Sequence, residues 1–395
     1  MSGAATPARL TVAFAVAATV SVSLPVFLLG ALIVEVRRDL HVPVWALGVM
    51  VALFWSAAAL AASRAGDLDA RLGSRRLTVL SLATAGVSLV GLAALSPSWG
   101  WLVAWSVVAG AANGVQHPAT NALITAQVAL GKRGLAFGLK QAAVPAATVL
   151  AGLAIPGIAL TFGWRWAFAG GALVCFATLI CYLVVGAGGA VHARVRGAAP
   201  RMPAAMNRYF LVLAVVAFAG GTTTIACSAY LVVGAIDRGI GAATAGIVLS
   251  AASVIGVVTR VVMGFVADRH RDRSLGFASA LVIVGGVGGV LMAVPTLPTF
   301  LVGAAFSIGI AGAWSGLVHY FISRTAGPMT SRATGMVQTG SFIGCAAGPL
   351  VFGAIYGLDP ALLPWLFAGV VGLLGGALGF ALARRPLDPY TESTA

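Results

Sequence analysis

Two cations stand inside long apolar runs, and their chemistry is the first thing the sequence offers. Arg260 interrupts Gly256-Val257-Val258-Thr259-Arg260-Val261-Val262-Met263-Gly264, eight residues before Asp268. On a helix that is roughly 12 Å inside a membrane boundary at 1.5 Å per residue. Lys140 follows Arg133 by seven residues, roughly 10 Å in from the same side. A cation at mid-bilayer costs about 2.5–3.5 kcal/mol on insertion scales, so it needs a reason to be there. Binding an anion is such a reason. A guanidinium can bond both oxygens of a carboxylate, whereas an ammonium acts as a point charge. The two are expected to converge on one anion, with Gly256 and Gly264 leaving room beside the guanidinium. The plainer readings are that Lys140 snorkels to the surface and that the glycines serve helix packing.

Polar residues at helical spacing accompany them. Asn113, His117 and Asn121 are spaced by four, with Gln116 alongside, and Ser315 and His319 repeat that spacing next to Tyr320. Either histidine is suited to bonding a substrate or carrying a proton; the alternative is that each ties neighbouring helices together. Gln141 and Gln338 either line a cavity or pack helices. Thr222 to Thr224, Cys227, Ser228 and Tyr230 read as ordinary polar lining. The ten acidic residues fall outside the spans, Glu35 at the edge of the first. A cationic substrate would therefore meet two repelling charges and no partner, so the cavity suits anions. No nucleophile–base pair and no metal-ligand spacing stands out, so neither enzyme chemistry nor a cofactor is expected. The four cysteines lie in apolar runs.

The elements that must position these groups follow from composition. Hydrophobic residues make up 60% and charged residues 9% of the 395, and mean hydropathy is +1.00. A soluble chain of this length needs far more polar surface. The net charge of +14 sits in short loops between apolar spans, which points to topology and excludes nucleic acid. Spans of about 20 apolar residues occur at Leu10–Val34, Trp45–Ala62, Leu77–Leu95, Trp101–Ala129, Leu135–Ala159 and Trp166–Val185. They recur at Tyr209–Ala235, Gly241–Ala267, Leu275–Val294, Pro298–Ile322, Ala333–Ile355 and Leu363–Ala383. Of 24 Lys and Arg, all but Arg37, Arg38, Arg165, Arg238 and the two intramembrane cations lie on the side of the termini. That bias places both ends in the cytoplasm of a multi-pass cytoplasmic-membrane protein.

The chain also repeats. Gly66-Asp67-Leu68-Asp69-Ala70-Arg71-Leu72-Gly73 aligns with Gly264 to Arg271 at an offset of 198. Gly138–Gln141 aligns with Gly335–Gln338 at 197, and Trp166–Gly170 with Trp365–Gly369 at 199. The division is a six-helix bundle over 1–188, a linker over 189–208 and a second bundle over 209–395. Parallel six-helix repeats place a substrate cavity between them.

Twelve spans, a central linker and a G-x-x-x-D-R-type loop after spans 2 and 8 resemble the major facilitator superfamily of secondary transporters. The resemblance implies that this loop clamps the cytoplasmic ends of the halves. Its residues here are Gly264, Asp268 and Arg269 in the second copy, and Asp69, Arg71 and Gly73 in the first. In the first copy Ala70 stands at the carboxylate position, with Asp69 one residue early. Arg260-Val261-Val262-Met263-Gly264 is similar to the eighth-helix arginine motif of the monocarboxylate and oxalate-formate porters. His117-Pro118-Ala119, Gly131-Lys132-Arg133-Gly134 and Phe162-Gly163-Trp164-Arg165 are similar to their fourth-to-sixth-helix region. Gly256 stands where the animal monocarboxylate carriers have an aspartate, and span 1 contains no lysine. Gln141 to Pro156 lacks the Gly-Pro motif of the drug/proton antiporters.

The expectation is an all-α, twelve-helix transporter in two pseudo-symmetric halves, moving a small mono- or dicarboxylate by proton symport or anion exchange. Its partners are the anion, protons and the bilayer, and it works as a monomer. The substrate would meet Arg260, Lys140, His117, Asn113, Asn121, Gln141, His319, Tyr320 and Gln338. An exporter of hydrophobic compounds with the same fold is the alternative. A transporter-like sensor without flux is a third reading.

Overall fold

The computed structural model describes residues 8–129, 133–185, 202–326 and 329–385. Among them no strand occurs, and twelve long helices follow one another. These are α1 (Ala8–Leu40), α2 (Val44–Leu72), α3 (Ser74–Ala94), α4 (Trp99–Gln127), α5 (Arg133–Ala154, prolonged to Phe162) and α6 (Trp164–Val185). The second set is α7 (Ala204–Ile236), α8 (Ala242–Arg269), α9 (Ser274–Ala293), α10 (Leu297–Thr325), α11 (Thr330–Tyr356) and α12 (Leu363–Ala383). Eleven are long and apolar enough to cross a bilayer. The exception, α4, is 29 residues long but carries Asn113, Gln116, His117 and Asn121.

Two elements run further than their apolar stretches suggest. The first apolar run ends at Val34, yet α1 continues to Leu40. Arg37 Nε donates to the Val42 carbonyl at 3.0 Å and Asp39 engages Trp164 and Arg165, which hold those last turns in place. Glu35 therefore lies on the helix itself, five residues before its far end. Likewise α7 begins at Ala204, inside the expected linker; residues 189–201 of that linker lie outside the described residues.

Two irregular stretches break the helical ladder. In α5 it widens to a π-helix over Ile155–Ala159, beginning next to Pro156, which has no N–H to donate. In α10 a π-helix over Ala305–Ile310 runs into a 3-10 turn over Ala311–Ala313.

The first six helices meet the last six along two seams, α2 against α11 and α5 against α8. The tight part of each seam lies toward the face opposite the termini, hereafter the far face. A Cβ on Gly48 of α2 would overlap the Pro349 carbonyl of α11, and a Cβ on Gly246 of α8 would overlap the Gly152 carbonyl of α5. Gly48 and Gly246 are 198 positions apart, so the same close approach occurs once per repeat. Hydrogen bonds cross there too. Ser250 Oγ donates to the Val149 carbonyl at 2.9 Å, and the Tyr230 hydroxyl reaches the Val44 carbonyl at 3.5 Å.

Buried apolar packing divides the same way. One cluster joins both sets of helices through residues such as Leu29, Val51, Phe54, Ile155, Tyr230, Leu249, Phe352 and Trp365. Toward the termini the packing splits. One cluster holds Phe210, Leu281, Trp314, Val318 and Val337 in the last six helices, and a separate one holds Ala15, Ile124, Val128 and Ala136 in the first six. The two sets of helices share one apolar cluster toward the far face and have separate clusters toward the termini.

Candidate functional site

Lys140 points into the first bundle rather than out of the membrane. It is only 2% exposed, which contradicts snorkelling. Its Nζ donates to Asn121 Oδ1 at 2.6 Å and to the His117 carbonyl at 3.1 Å. Both partners are neutral. His117 and His319 are electrostatic neighbours of this ammonium, and α10 touches α5, so the charge faces the second bundle as well.

His319 holds the corresponding place there. Its Nδ1 lies 2.7 Å from the Ser315 carbonyl and its Nε2 lies 3.0 Å from Gln338 Oε1. Asn121 and His319 are 198 positions apart, as are His117 and Ser315, whereas at the offset of 197 that holds between α5 and α11 Gln338 matches Gln141, the neighbour of Lys140. A side-chain pair thus joins α4 to α5 in one bundle and α10 to α11 in the other. One pair carries a cation; the other carries a group that can become one.

Arg260 is partly buried, and its Nη1 donates to the Gly256 carbonyl at 3.2 Å. The guanidinium lies against the irregular part of α10. A Cβ on Gly312 would come within 2.7 Å of Nη2, and one on Gly256 within 3.1 Å of Nη1 and 3.3 Å of the Ile308 carbonyl. Any larger side chain at Gly312 would displace the guanidinium. The expected ligand room at Gly256 is therefore taken up by the arginine and by the α10 backbone. A Cβ on Gly264 would meet nothing within 4 Å. Each cation is held within its own bundle by neutral oxygens. The ion pairs found among the described residues, Arg165–Asp39 and Arg324–Asp272, include neither.

Other expected residues serve packing. Asn113 is fully buried and donates from Nδ2 to the Val22 carbonyl at 3.3 Å and Ser23 Oγ at 3.4 Å on α1. Gln116 accepts from Ser81 on α3. Gln141 and Tyr320 are partly buried. On α7, Thr222 donates to the Gly344 carbonyl at 3.2 Å and Thr223 to the Ala368 carbonyl at 2.8 Å, so they join helices rather than line a path. Tyr230 was underrated as lining: it reaches across the far-face seam and stacks on Tyr356, 5.5 Å between centroids. Cys175, Cys227 and Cys345 are buried, while Cys181 is exposed.

At the loop after α2, Ser74 Oγ donates to Asp69 Oδ1 at 2.6 Å. Gly73, at φ 80°, closes the helix with its N–H on the Asp69 carbonyl. Asp69 thus braces its own loop, and Arg71 is exposed. After α8, Asp268 and Arg269 are exposed in the last turn, and Arg324 of α10 pairs with Asp272 at 3.4 Å.

Several residues escaped the sequence reading. Asp39 and Asp237 are 198 positions apart, at the far ends of α1 and α7. Asp39 accepts from Trp164 Nε1 at 3.0 Å and from Arg165, and Asp237 accepts from the Tyr356 hydroxyl. Beside it Arg238 donates to the carbonyls of Gly234 (3.0 Å), Met292 (2.7 Å) and Ala361 (3.2 Å). The guanidinium lies 4.4 Å from the Phe300 ring centroid. Burial pulls its pKa below the usual arginine value, while Tyr356 and Asp237 act to raise it. The repeat offset, applied to charged residues, was the signal for this pair. Both carboxylate oxygens of Glu35 are buried without a hydrogen-bond partner among the described residues. A small apolar pocket under the far-face seal is lined by Val26, Phe27, Val51, Trp55, Ile225 and Leu249, from both bundles.

A family model described as Major Facilitator Superfamily matches residues 12–328 and, in an overlapping match, 209–394. Two uncharacterized MFS-type transporters of Mycobacterium tuberculosis, from strains CDC 1551 and H37Rv, are each 32% identical over 133 residues. The alignment spans 33% of this chain and 31% of each relative.

Proposed function

This chain belongs to the Major Facilitator Superfamily, and on that premise we propose that it is a secondary active transporter for a small organic anion, a mono- or dicarboxylate. The observation that carries the reading is that Lys140 and Arg260 lie within membrane-length helices and that, among the described residues, the partners found for them are neutral oxygens. A charge in a low-dielectric site is costly unless paired. An arriving carboxylate supplies the missing charge, and the resemblance of the Arg260 motif to monocarboxylate and oxalate-formate porters supports the same class.

Transport proceeds by alternating access, the two bundles rocking about a site between them. The far-face seal and the parted terminus-side clusters correspond to one end state. The excess of cations on the terminus side supports a cytoplasmic assignment of that face, and with it the reading of this state as inward-facing in a cytoplasmic membrane. Asp268 and Arg269, with Asp69, Arg71 and Gly73, latch that face in the opposite state.

The test is uptake of radiolabelled formate, lactate, pyruvate, oxalate, succinate and benzoate into proteoliposomes, for wild type and Arg260→Gln. Saturable uptake of at least one acid, abolished by the substitution, supports the reading. Folded protein that takes up none of them overturns it. The apolar pocket around Trp55 favours a second reading, an exporter of hydrophobic compounds, under which Arg260→Gln leaves transport intact.

A further inference from the structure

We infer that His319 takes up the proton that travels with the anion, on Nε2, and that Gln338 is the residue that positions it for both protonation states. This rests on the anion reading above and commits it to symport rather than exchange.

The geometry assigns the nitrogens. A carbonyl oxygen can only accept, so Nδ1, 2.7 Å from the Ser315 carbonyl, carries hydrogen throughout. Nε2 is then the nitrogen that titrates, and it faces the Gln338 amide at 3.0 Å. An amide offers an acceptor on one side and donors on the other. With Oε1 toward the ring it accepts from Nε2–H of the imidazolium. Turned over, its NH2 donates to the bare Nε2 of the neutral ring. The ring is thus hydrogen-bonded at both nitrogens in either state. An asparagine, glutamine or serine at position 319 would fill the space but could not hold the proton.

The surroundings supply the coupling. Lys140 on α5 and His117 on α4 face this ring from the first bundle. Arg260 lies against α10 two turns earlier, at Gly312. Tyr320 and Arg324 share α10, the latter turned to Asp272. Arg332 on α11 is exposed, and α7 contributes Tyr209, stacked on Phe321. The one anion named here, Asp272, is exposed and paired with Arg324, so a proton on Nε2 is repelled by Lys140 and Arg260 until a carboxylate sits among them. Anion and proton therefore favour each other's binding, and the coupling is reciprocal. The proton passes from solvent at the open face to Nε2 and, after the bundles rock, from Nε2 to solvent at the other face. No bond other than N–H forms or breaks.

The experiment compares two assays in proteoliposomes with the six acids named above. One is net uptake driven by an inward proton gradient; the other is counterflow of labelled against unlabelled acid, which needs no net proton movement. Wild type is expected to show both, with net uptake rising about tenfold under the gradient. His319→Gln is expected to lose the stimulation, so that its ratio of net uptake to counterflow no longer depends on the gradient. Gln338→Leu should lower that dependence severalfold, and Gln338→Glu should also lower it, because a fixed carboxylate beside Nε2 holds the proton without the anion. Gradient stimulation that survives in His319→Gln overturns the inference, as does wild-type counterflow without any gradient effect. Absence of both activities for every acid in the wild type overturns the anion reading itself.

Discussion

Asn121 and His319 stand one repeat apart, and each bonds a side chain of the next helix. Asn121 accepts from Lys140, nineteen residues further on, and His319 meets the amide of Gln338, also nineteen residues further on. The two bundles thus tie the same helices by pairs of different chemistry, an ammonium on one side and a titratable ring on the other.

Removing the Asn121 side chain leaves a buried ammonium with one acceptor fewer. Asn121→Ala is expected to cost about 2–3 kcal/mol of stability, read as a lowered melting temperature in detergent. Lys140→Met should melt close to wild type, because it removes the charge together with its need for a partner, yet it should abolish anion uptake. A Lys140→Met protein that transports normally would assign the lysine a purely structural role.

Gly48 and Gly246 allow the two seams to close. A tryptophan at either position cannot coexist with the facing carbonyls of Pro349 or Gly152, so Gly48→Trp and Gly246→Trp should hold the far face open. Spin labels at Arg38 and Leu358, both exposed on far-face ends, should move apart by several ångström, and net transport should stop. An unchanged distance distribution in a folded variant would show that the seams close without these contacts.

The two far-end aspartates differ in the strength of what surrounds them. Asp39 and Arg165 are 45% and 43% exposed, so Asp39→Ala should cost no more than about 1 kcal/mol. Arg238 bonds three carbonyls from three segments, and Arg238→Ala should cost about 2–4 kcal/mol. Thermal unfolding of the two variants under one condition ranks them; the reverse order would contradict the assignment.

Glu35 is a further group on a membrane-length helix able to hold a proton. If His319 carries the coupled proton, Glu35→Gln, which preserves shape, should leave both uptake and its dependence on the gradient within twofold of wild type. Loss of gradient stimulation in this variant alone would transfer the proton site to α1.

The twelve helices were legible because a bilayer demands about 20 consecutive apolar residues, and the repeat was legible because its loops kept their glycines and charges. Lys140 and Arg260 stood out for the same reason, as breaks in apolar runs. Their partners did not. Whether Lys140 faces the surface, a cavity or α4 depends on the rotation of α5, and α5 is apolar around most of its circumference. The end of α1 was missed because Glu35, Arg37, Arg38 and Asp39 look like a loop until Trp164 and Arg165 are placed beside them. Gly48 and Gly246 were two glycines among 51; only the facing carbonyls set them apart. The 3-10 turn of α10 that receives Arg260 has no local sequence signature beyond its small residues.

Anion recognition by the two cations is tested most directly by equilibrium binding of a transported carboxylate and of its uncharged primary amide to purified wild type, Arg260→Gln and Lys140→Met. Recognition through charge predicts that wild type prefers the acid by at least tenfold, about 1.4 kcal/mol, and that each substitution removes most of that preference. Equal binding of acid and amide by the wild type, or a preference untouched by both substitutions, would contradict it.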